Sequence, residues 1–224
     1  MVKPAGAAPP APGPQASAAV LPVLRRPDAR VGLFGGTFDP VHLGHLALAL
    51  AALAELQLDH LFFVPAAQAP LRYEMPYATA EDRLDLLNRA VAELGDPRLG
   101  VLDIEARAGG VNYTVDTVRK LRATWPRAEF FWLLGADQFA QLDRWREPAE
   151  LAKLVEFAVL ARPGSPPPSP PSSLAASVRW RRLVGVPHPA RAEDIRRRRK
   201  AGELLDLWLP RAVAAAIEEK KLYR

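Results

Sequence analysis

The chain has 224 residues, enough for one domain of ordinary size with tails, and its 49% hydrophobic content can build a sizeable core. A net charge of +5 suits an anionic small-molecule partner and does not by itself call for nucleic acid. The absence of cysteine excludes disulfides, thiolate zinc sites and a cysteine nucleophile, and no apolar run reaches the ~18 residues of a membrane span.

In chain order, residues 1–28 are rich in Ala, Pro and Gly and poor in large apolar side chains. Such a segment cannot offset its ordering entropy and reads as disordered. Prolines interrupt its alanines, so no signal-peptide core is expected and the protein reads as cytoplasmic. Residues 31–34 (Val-Gly-Leu-Phe) read as a buried strand. Residues 42–56 read as a helix with Leu46, Ala49, Leu50 and Leu53 on one face. Residues 61–64 form a second strand stopped by Pro65, and residues 81–94 a second helix carrying Leu84, Leu87 and Val91. A third strand is expected over 99–105, a helix over 114–123, a fourth strand over 129–134 and a fifth over 157–160.

The proline-rich stretch 163–173 lacks ladder donors and reads as a surface loop. Residues 178–186 are a weaker sixth strand. The helical carboxyl-terminal part, 190–224, holds helices near 193–200 and 211–219. Strands alternating with helices over residues 29–224 predict one α/β domain, Rossmann-like: a doubly wound parallel sheet with helices on both faces. Ligands in such sheets sit outside the carboxyl ends of the strands, where strand order reverses.

The first strand leads into Gly35-Gly36-Thr37-Phe38-Asp39-Pro40-Val41-His42-Leu43-Gly44-His45. Glycines there allow a sharp turn and close approach to a ligand. Asp39 is expected as N-cap with Pro40 at the first helical position, leaving amides at the helix end for an anion. His42 and His45, three residues apart, share one face, and Gly44 keeps that face open. The positive helix end pushes both imidazoles toward neutrality, which a bound polyphosphate would reverse. Together they can donate to phosphoryl oxygens and stabilise charge that develops in transfer. His-x-x-His is also half of a metal site, but no third ligand is nearby, so no metal site is expected.

This run resembles the signature of the nucleotidyltransferase superfamily, a Gly-rich turn followed by His-x-Gly-His. Its Gly-Gly-Thr-Phe-Asp-Pro lead is similar to that of the bacterial nicotinate-nucleotide adenylyltransferase family. Two further segments match in order: Asn112-Tyr113-Thr114-Val115-Asp116-Thr117, and Gly135-Ala136-Asp137 continuing through Leu142 to Trp145. The closing Leu222-Tyr223-Arg224 is also similar to the family's ending.

The resemblance implies transfer of the adenylyl group of ATP to nicotinate mononucleotide, giving deamido-NAD and diphosphate in NAD biosynthesis. It implies His42 and His45 as catalytic residues. Gly35, Gly36, Thr37, Phe38, Gly135, Asp137 and Arg196 would bind ATP, with Gly135 and Asp137 on its adenosine half. Backbone near Thr114 would hold the nicotinate carboxylate, Trp145 would stack on the pyridine ring, and Arg72 would steady phosphate. Magnesium would arrive with ATP and not in a dedicated protein site.

Two segments depart from the family pattern. Pro70-Leu71-Arg72 replaces Pro-His-Lys, and Ala190-Arg191-Ala192-Glu193-Asp194-Ile195-Arg196 lacks the usual hydroxyls, with Arg191 as a candidate replacement. The run Arg196 to Lys200 otherwise reads as a solvated helix face. Other acceptors remain open: nicotinamide mononucleotide, or the phosphopantetheine or CTP chemistry of related transferases. So does a nucleotide-sensing or nucleic-acid-binding role without turnover, although nucleic acid is not an expected partner. Homo-oligomerisation is left open, and no membrane association is expected.

Overall fold

The computed structural model describes residues 22, 24–68, 70, 75–161, 167–185 and 188–224. Its frame is six short strands: β1 (Arg30–Gly36), β2 (His60–Pro65), β3 (Leu99–Val101), β4 (Glu129–Gly135), β5 (Glu156–Leu160) and β6 (Trp180–Leu183). They form one sheet in the order β3-β2-β1-β4-β5-β6, and every pairing is parallel. The order reverses between β1 and β4, so the expected doubly wound architecture is present with its crevice beside β1.

Side chains alternate across the sheet, as the strand period requires. Phe34, Leu61, Phe63, Phe131 and Leu133 face one layer, built on α1 (Leu43–Glu55), α2 (Ala80–Leu94) and α8 (Arg211–Glu219). Leu33, Phe62, Val64, Trp132 and Phe157 face the other, built on α4 (Thr114–Thr124) and α6 (Pro148–Leu154). Both faces are covered, which is why β1, β2 and β4 read as continuous apolar runs. Ile195 of α7 (Ala192–Lys200) joins the first layer.

Several expectations are corrected. Helix α1 begins at Leu43 with His42 as its N-cap. Asp39 is not the cap, because its carboxylate is drawn into bonds with distant backbone. On α1, Leu50 is exposed, and Leu48 and Ala52 are buried beside Leu46, Ala49 and Leu53. On α2 the buried arc is Arg83, Leu86, Leu87 and Ala90, with Leu84 and Val91 half-buried.

Strand β3 stops at Val101, four residues early, and residues Ile104–Ala108 form a short helix, α3. The chain turns there because Glu105 swings inward to accept the Thr117 hydroxyl at 2.6 Å. Tyr113 stands at the N-cap of α4, so that helix begins at Thr114 as expected. Three short helical pieces had no counterpart in the sequence reading: α5 (Ala136–Phe139), a 3-10 turn at Leu142–Arg144, and α6.

The fold also starts before residue 29. Leu24 packs on the second layer, Arg26 pairs with Asp59 at 2.9 Å, and the Arg25 amide donates to His60. The expectation of a disordered tail otherwise falls on residues 1–21 and 23, outside the described residues. The proline-rich loop is described only from residue 167, where it runs as irregular chain and turn. Among the described residues no helix is long and apolar enough to cross a membrane.

Candidate active site

At the reversal point, β1 ends on Gly35 and Gly36 and its neighbour β4 ends on Gly135. Neither Gly35 nor Gly36 needs a left-handed backbone; both stay in the strand. What excludes a side chain is space. A Cβ on Gly35 would run into the Trp132 indole, and one on Gly36 would lie 2.9 Å from the Phe38 ring. The turn itself is made by Phe38, a non-glycine residue at φ 51°. That unusual conformation is held by edge-on contacts with Phe34 at 5.5 Å, Phe63 at 5.6 Å and His45 at 5.0 Å.

The carbonyls of this turn are tied off. Gly36 O accepts from the Ala66 amide at 3.0 Å, Thr37 O from Arg83 Nη1 at 2.7 Å, and Asp39 O from Arg196 Nη1 at 2.6 Å. In a planar trans peptide the C=O and the following N–H point in opposite directions. The Gly36–Thr37 and Thr37–Phe38 peptides are both trans. Fixing their oxygens therefore fixes the Thr37 and Phe38 N–H groups on the opposite side, an arrangement suited to an anion.

His42 and His45 lie ring on ring, with centroids 3.6 Å apart and planes 23° apart. The His42 amide donates to His45 Nδ1 at 3.2 Å, which assigns the proton of a neutral His45 to Nε2. His42 Nδ1 is buried without a hydrogen-bond partner among the described residues. The His42 side chain faces the His45 main chain at the start of α1.

Burial pushes His42 down to about 4, helped by the nearby His188. Burial also holds His45 well below the usual imidazole range, with His42 adding to it. The expected neutrality is thus present, but desolvation is its first cause. Gly44 suits this close packing, since a Cβ would sit 3.1 Å from the His42 ring and 3.4 Å from Ala190 O and would press on both. The helix end offers fewer amides than expected, because Leu43 N already donates to Trp208 O at 3.0 Å.

Asp39 is buried and accepts from the Tyr77 amide (2.8 Å), the Ala78 amide (3.1 Å) and the Tyr223 hydroxyl (2.9 Å). Burial, then the Asp39 charge, raises the Tyr223 phenol above its ordinary range. Arg196 reaches the turn through Asp39 O and stacks on Tyr77 at 4.5 Å. Arg191, the candidate replacement for the missing hydroxyls, is exposed at the N-cap of α7. Arg72 lies outside the described residues.

The segments around Thr114 and Trp145 are built differently. Asn112 accepts from the Ala67 amide at 3.2 Å and its own amide donates to Gln68 O at 3.4 Å, so the loop after β2 is tied to the residues before α4. Tyr113 lies beneath Arg146, whose guanidinium is 4.7 Å from the ring. Trp145 is half-buried against the second core layer, and Asp137 is exposed just past Gly135. A cavity of about 140 Å³ lies beside Glu105, Asn112, Tyr113, Asp116 and Lys120. It does not reach the histidines.

The structure therefore gathers Gly35, Gly36, Thr37, Phe38, His42, His45 and Arg196 into one connected site. Thr114, Trp145, Gly135 and Asp137 stand beside it, with no hydrogen bond to the histidines among the described residues. Sequence reasoning missed Arg83 and His188, and placed Asn112 in a matching segment without giving it a role. Arg83 had a legible signal: it lies three and four residues before Leu86 and Leu87, on the buried arc of α2.

The cytidylyltransferase-like family profile matches residues 33–198. The probable nicotinate-nucleotide adenylyltransferase of Opitutus terrae is 40% identical over 195 residues, covering 87% of this chain and 98% of that protein. The one from Bordetella petrii is 45% identical over 204 residues, covering 87% and 99%. Among solved structures, Plasmodium falciparum nicotinic acid mononucleotide adenylyltransferase complexed with NaAD superposes with a TM-score of 0.68. It covers 87% of this chain and 97% of that one at 15% identity, a likeness of fold. A sheet reversing at a buried His-x-Gly-His turn, and near-full-length identity of 40% or more, agree: the chain belongs to the cytidylyltransferase-like family and, within it, to the nicotinate-nucleotide adenylyltransferases.

Proposed function

We propose that the chain transfers the adenylyl group of ATP to nicotinate mononucleotide at the turn that carries His42 and His45. The observation that carries this reading is the stacked His42–His45 pair beside a turn whose amides are set outward. The acceptor's phosphate oxygen attacks the α-phosphorus of ATP in line, a new P–O bond forms, and the bond to the diphosphate breaks. Products are deamido-NAD and diphosphate, with no covalent enzyme intermediate. Catalysis is positioning plus stabilisation of charge on the phosphoryl oxygens.

His45 Nε2–H and His42 are the proposed side-chain donors, with the Thr37 and Phe38 amides beside them. Arg196 would contribute positive charge near Asp39, and Arg72 from the loop after β2. Gly135 and Asp137 would meet the adenosine half. Backbone near Thr114 would take the nicotinate carboxylate, and Trp145 would stack on the pyridine ring.

Magnesium belongs to the ATP complex in this reading, where it offsets charge on the phosphates. Among the described residues no three acidic or imidazole side chains gather to hold a metal. The roles of this chain's residues do not depend on such a site. A cytoplasmic location is proposed with the reaction, as the compartment of ATP supply.

The test is to incubate purified protein with ATP and, separately, nicotinate mononucleotide or nicotinamide mononucleotide. Expected is one diphosphate per deamido-NAD formed, with the nicotinate acceptor preferred. No deamido-NAD, with product from another acceptor, would overturn the assignment.

A further inference from the structure

We infer that Arg83, on the buried side of α2, is a positioning residue for adenylyl transfer, supported through Asp39 by the penultimate residue Tyr223. The inference rests on the reading that the turn with His42 and His45 performs the transfer.

Arg83 is 1% exposed, an unusual place for a guanidinium. Every bond it makes goes to a main-chain carbonyl: Thr37 O and Ala66 O from Nη1 at 2.7 Å each, Ala67 O from Nη2 at 3.0 Å, and Ala78 O from Nε at 3.3 Å. These oxygens belong to three separate segments: the turn after β1, the end of β2, and the approach to α2. Burial lowers its pKa, and Asp39 is the opposing charge that acts against this. An apolar side chain on this arc would leave these carbonyls without their donor. What the planar fork supplies is several directed donors at once.

One of those bonds bears on the chemistry. The bond to Thr37 O sets the Thr37–Phe38 peptide plane, and so aims the Phe38 N–H away from Arg83 toward the anion side of the turn. Phe38 sits at φ 51°, a conformation a non-glycine residue keeps only when its surroundings hold it. Asp39 is anchored in turn by the Tyr77 and Ala78 amides and by the Tyr223 hydroxyl, 184 residues away in the chain. The carboxyl-terminal residues thereby reach the turn that holds the phosphates. Arg83 touches no substrate in this account; it acts through the peptide it orients.

The test compares Arg83→Lys, Tyr223→Phe and His45→Ala with the parent protein, measuring kcat, both KM values and the thermal midpoint. Lysine keeps the charge beside Asp39 but cannot span Thr37, Ala66, Ala67 and Ala78 together. Expected for Arg83→Lys is a fall in kcat of roughly 10- to 100-fold at saturating substrates, from a misplaced donor. The KM for nicotinate mononucleotide should stay within about twofold, because Thr114 and Trp145 make no bond to Arg83 and the Ala67 amide keeps its Asn112 partner. Tyr223→Phe should lower kcat by roughly threefold or more, through one lost bond to a charged group.

If Arg83→Lys does not fold, Tyr223→Phe decides. A lowered thermal midpoint with parental kcat in the folded variants would make the unit structural and overturn the inference. His45→Ala separates the two levels: its loss of turnover beside an unaffected Arg83→Lys and Tyr223→Phe rejects only the positioning role. Parental turnover in His45→Ala rejects the reading on which the inference rests.

Discussion

The turn after β1 and the segments at Thr114 and Trp145 flank the same end of the sheet, yet they are constructed on opposite terms. In the turn, backbone oxygens are individually held by Ala66, Arg83 and Arg196, and both imidazoles are packed against aromatic rings or each other. In the segments around Thr114 and Trp145, Arg146 is exposed, Trp145 is half-buried, and Tyr113 lies between the edge of the second core layer and a surface arginine. The contrast teaches where rigidity is needed. Charge stabilisation loses force with small displacements, so its donors are embedded. Ring recognition tolerates motion and can sit near the surface on short helical pieces.

The contrast can be broken or sharpened by experiment. The largest expected effect is on chemistry: His45→Ala should lower kcat at least about 100-fold, the scale of one preorganised donor, measured as diphosphate release at saturating substrates. Next comes pH. The folded pKa of His42 is pushed to about 4 from an ordinary 6.5, so the unfolded chain binds more protons between those values. Stability is then complete above pH 6.5 and falls as pH drops toward 4, by on the order of 3 kcal/mol from this residue. Thermal midpoints across pH 4–7 check it, and saturating ATP should flatten the slope by favouring charged imidazole.

Smaller effects follow. Gly35→Ala should destabilise by about 2 kcal/mol through overpacking against Trp132, read by denaturant unfolding. Trp145→Ala should raise the acceptor KM roughly tenfold, the scale of one stacking contact, with the ATP KM little changed.

Much of the frame was legible because its signals are local. Apolar runs of strand length alternating with helical periods led to the doubly wound sheet, and residues 211–219 were read to the residue. The histidine pair was legible as spacing. What escaped depended on partners far away in the chain. Asp39-Pro40 reads as a helix start, yet the Asp39 carboxylate is claimed by residues 38, 39 and 184 positions distant. Apolar residues continue past the end of β3 at Leu102 and Ile104, and only the bond from Thr117 to Glu105 shows why the chain turns there. From sequence the Gly35-Gly36 pair reads as a sharp turn open to a ligand; what bars a side chain there is the indole of Trp132 and the ring of Phe38. Arg83 has Glu81, Asp82 and Asp85 beside it in sequence, which reads as a solvated charge cluster, yet it bonds none of them and spans four carbonyls instead.

The account's central claim is that the braced turn carries the chemistry and the acceptor segments carry recognition. It is tested most directly by measuring kcat and the acceptor KM side by side in His42→Gln and Trp145→Ala, both verified as folded. The account predicts that kcat collapses in the first with acceptor KM nearly unchanged, and that KM rises in the second with kcat largely kept. A fall in kcat confined to Trp145→Ala, with His42→Gln turning over like the parent, would contradict it.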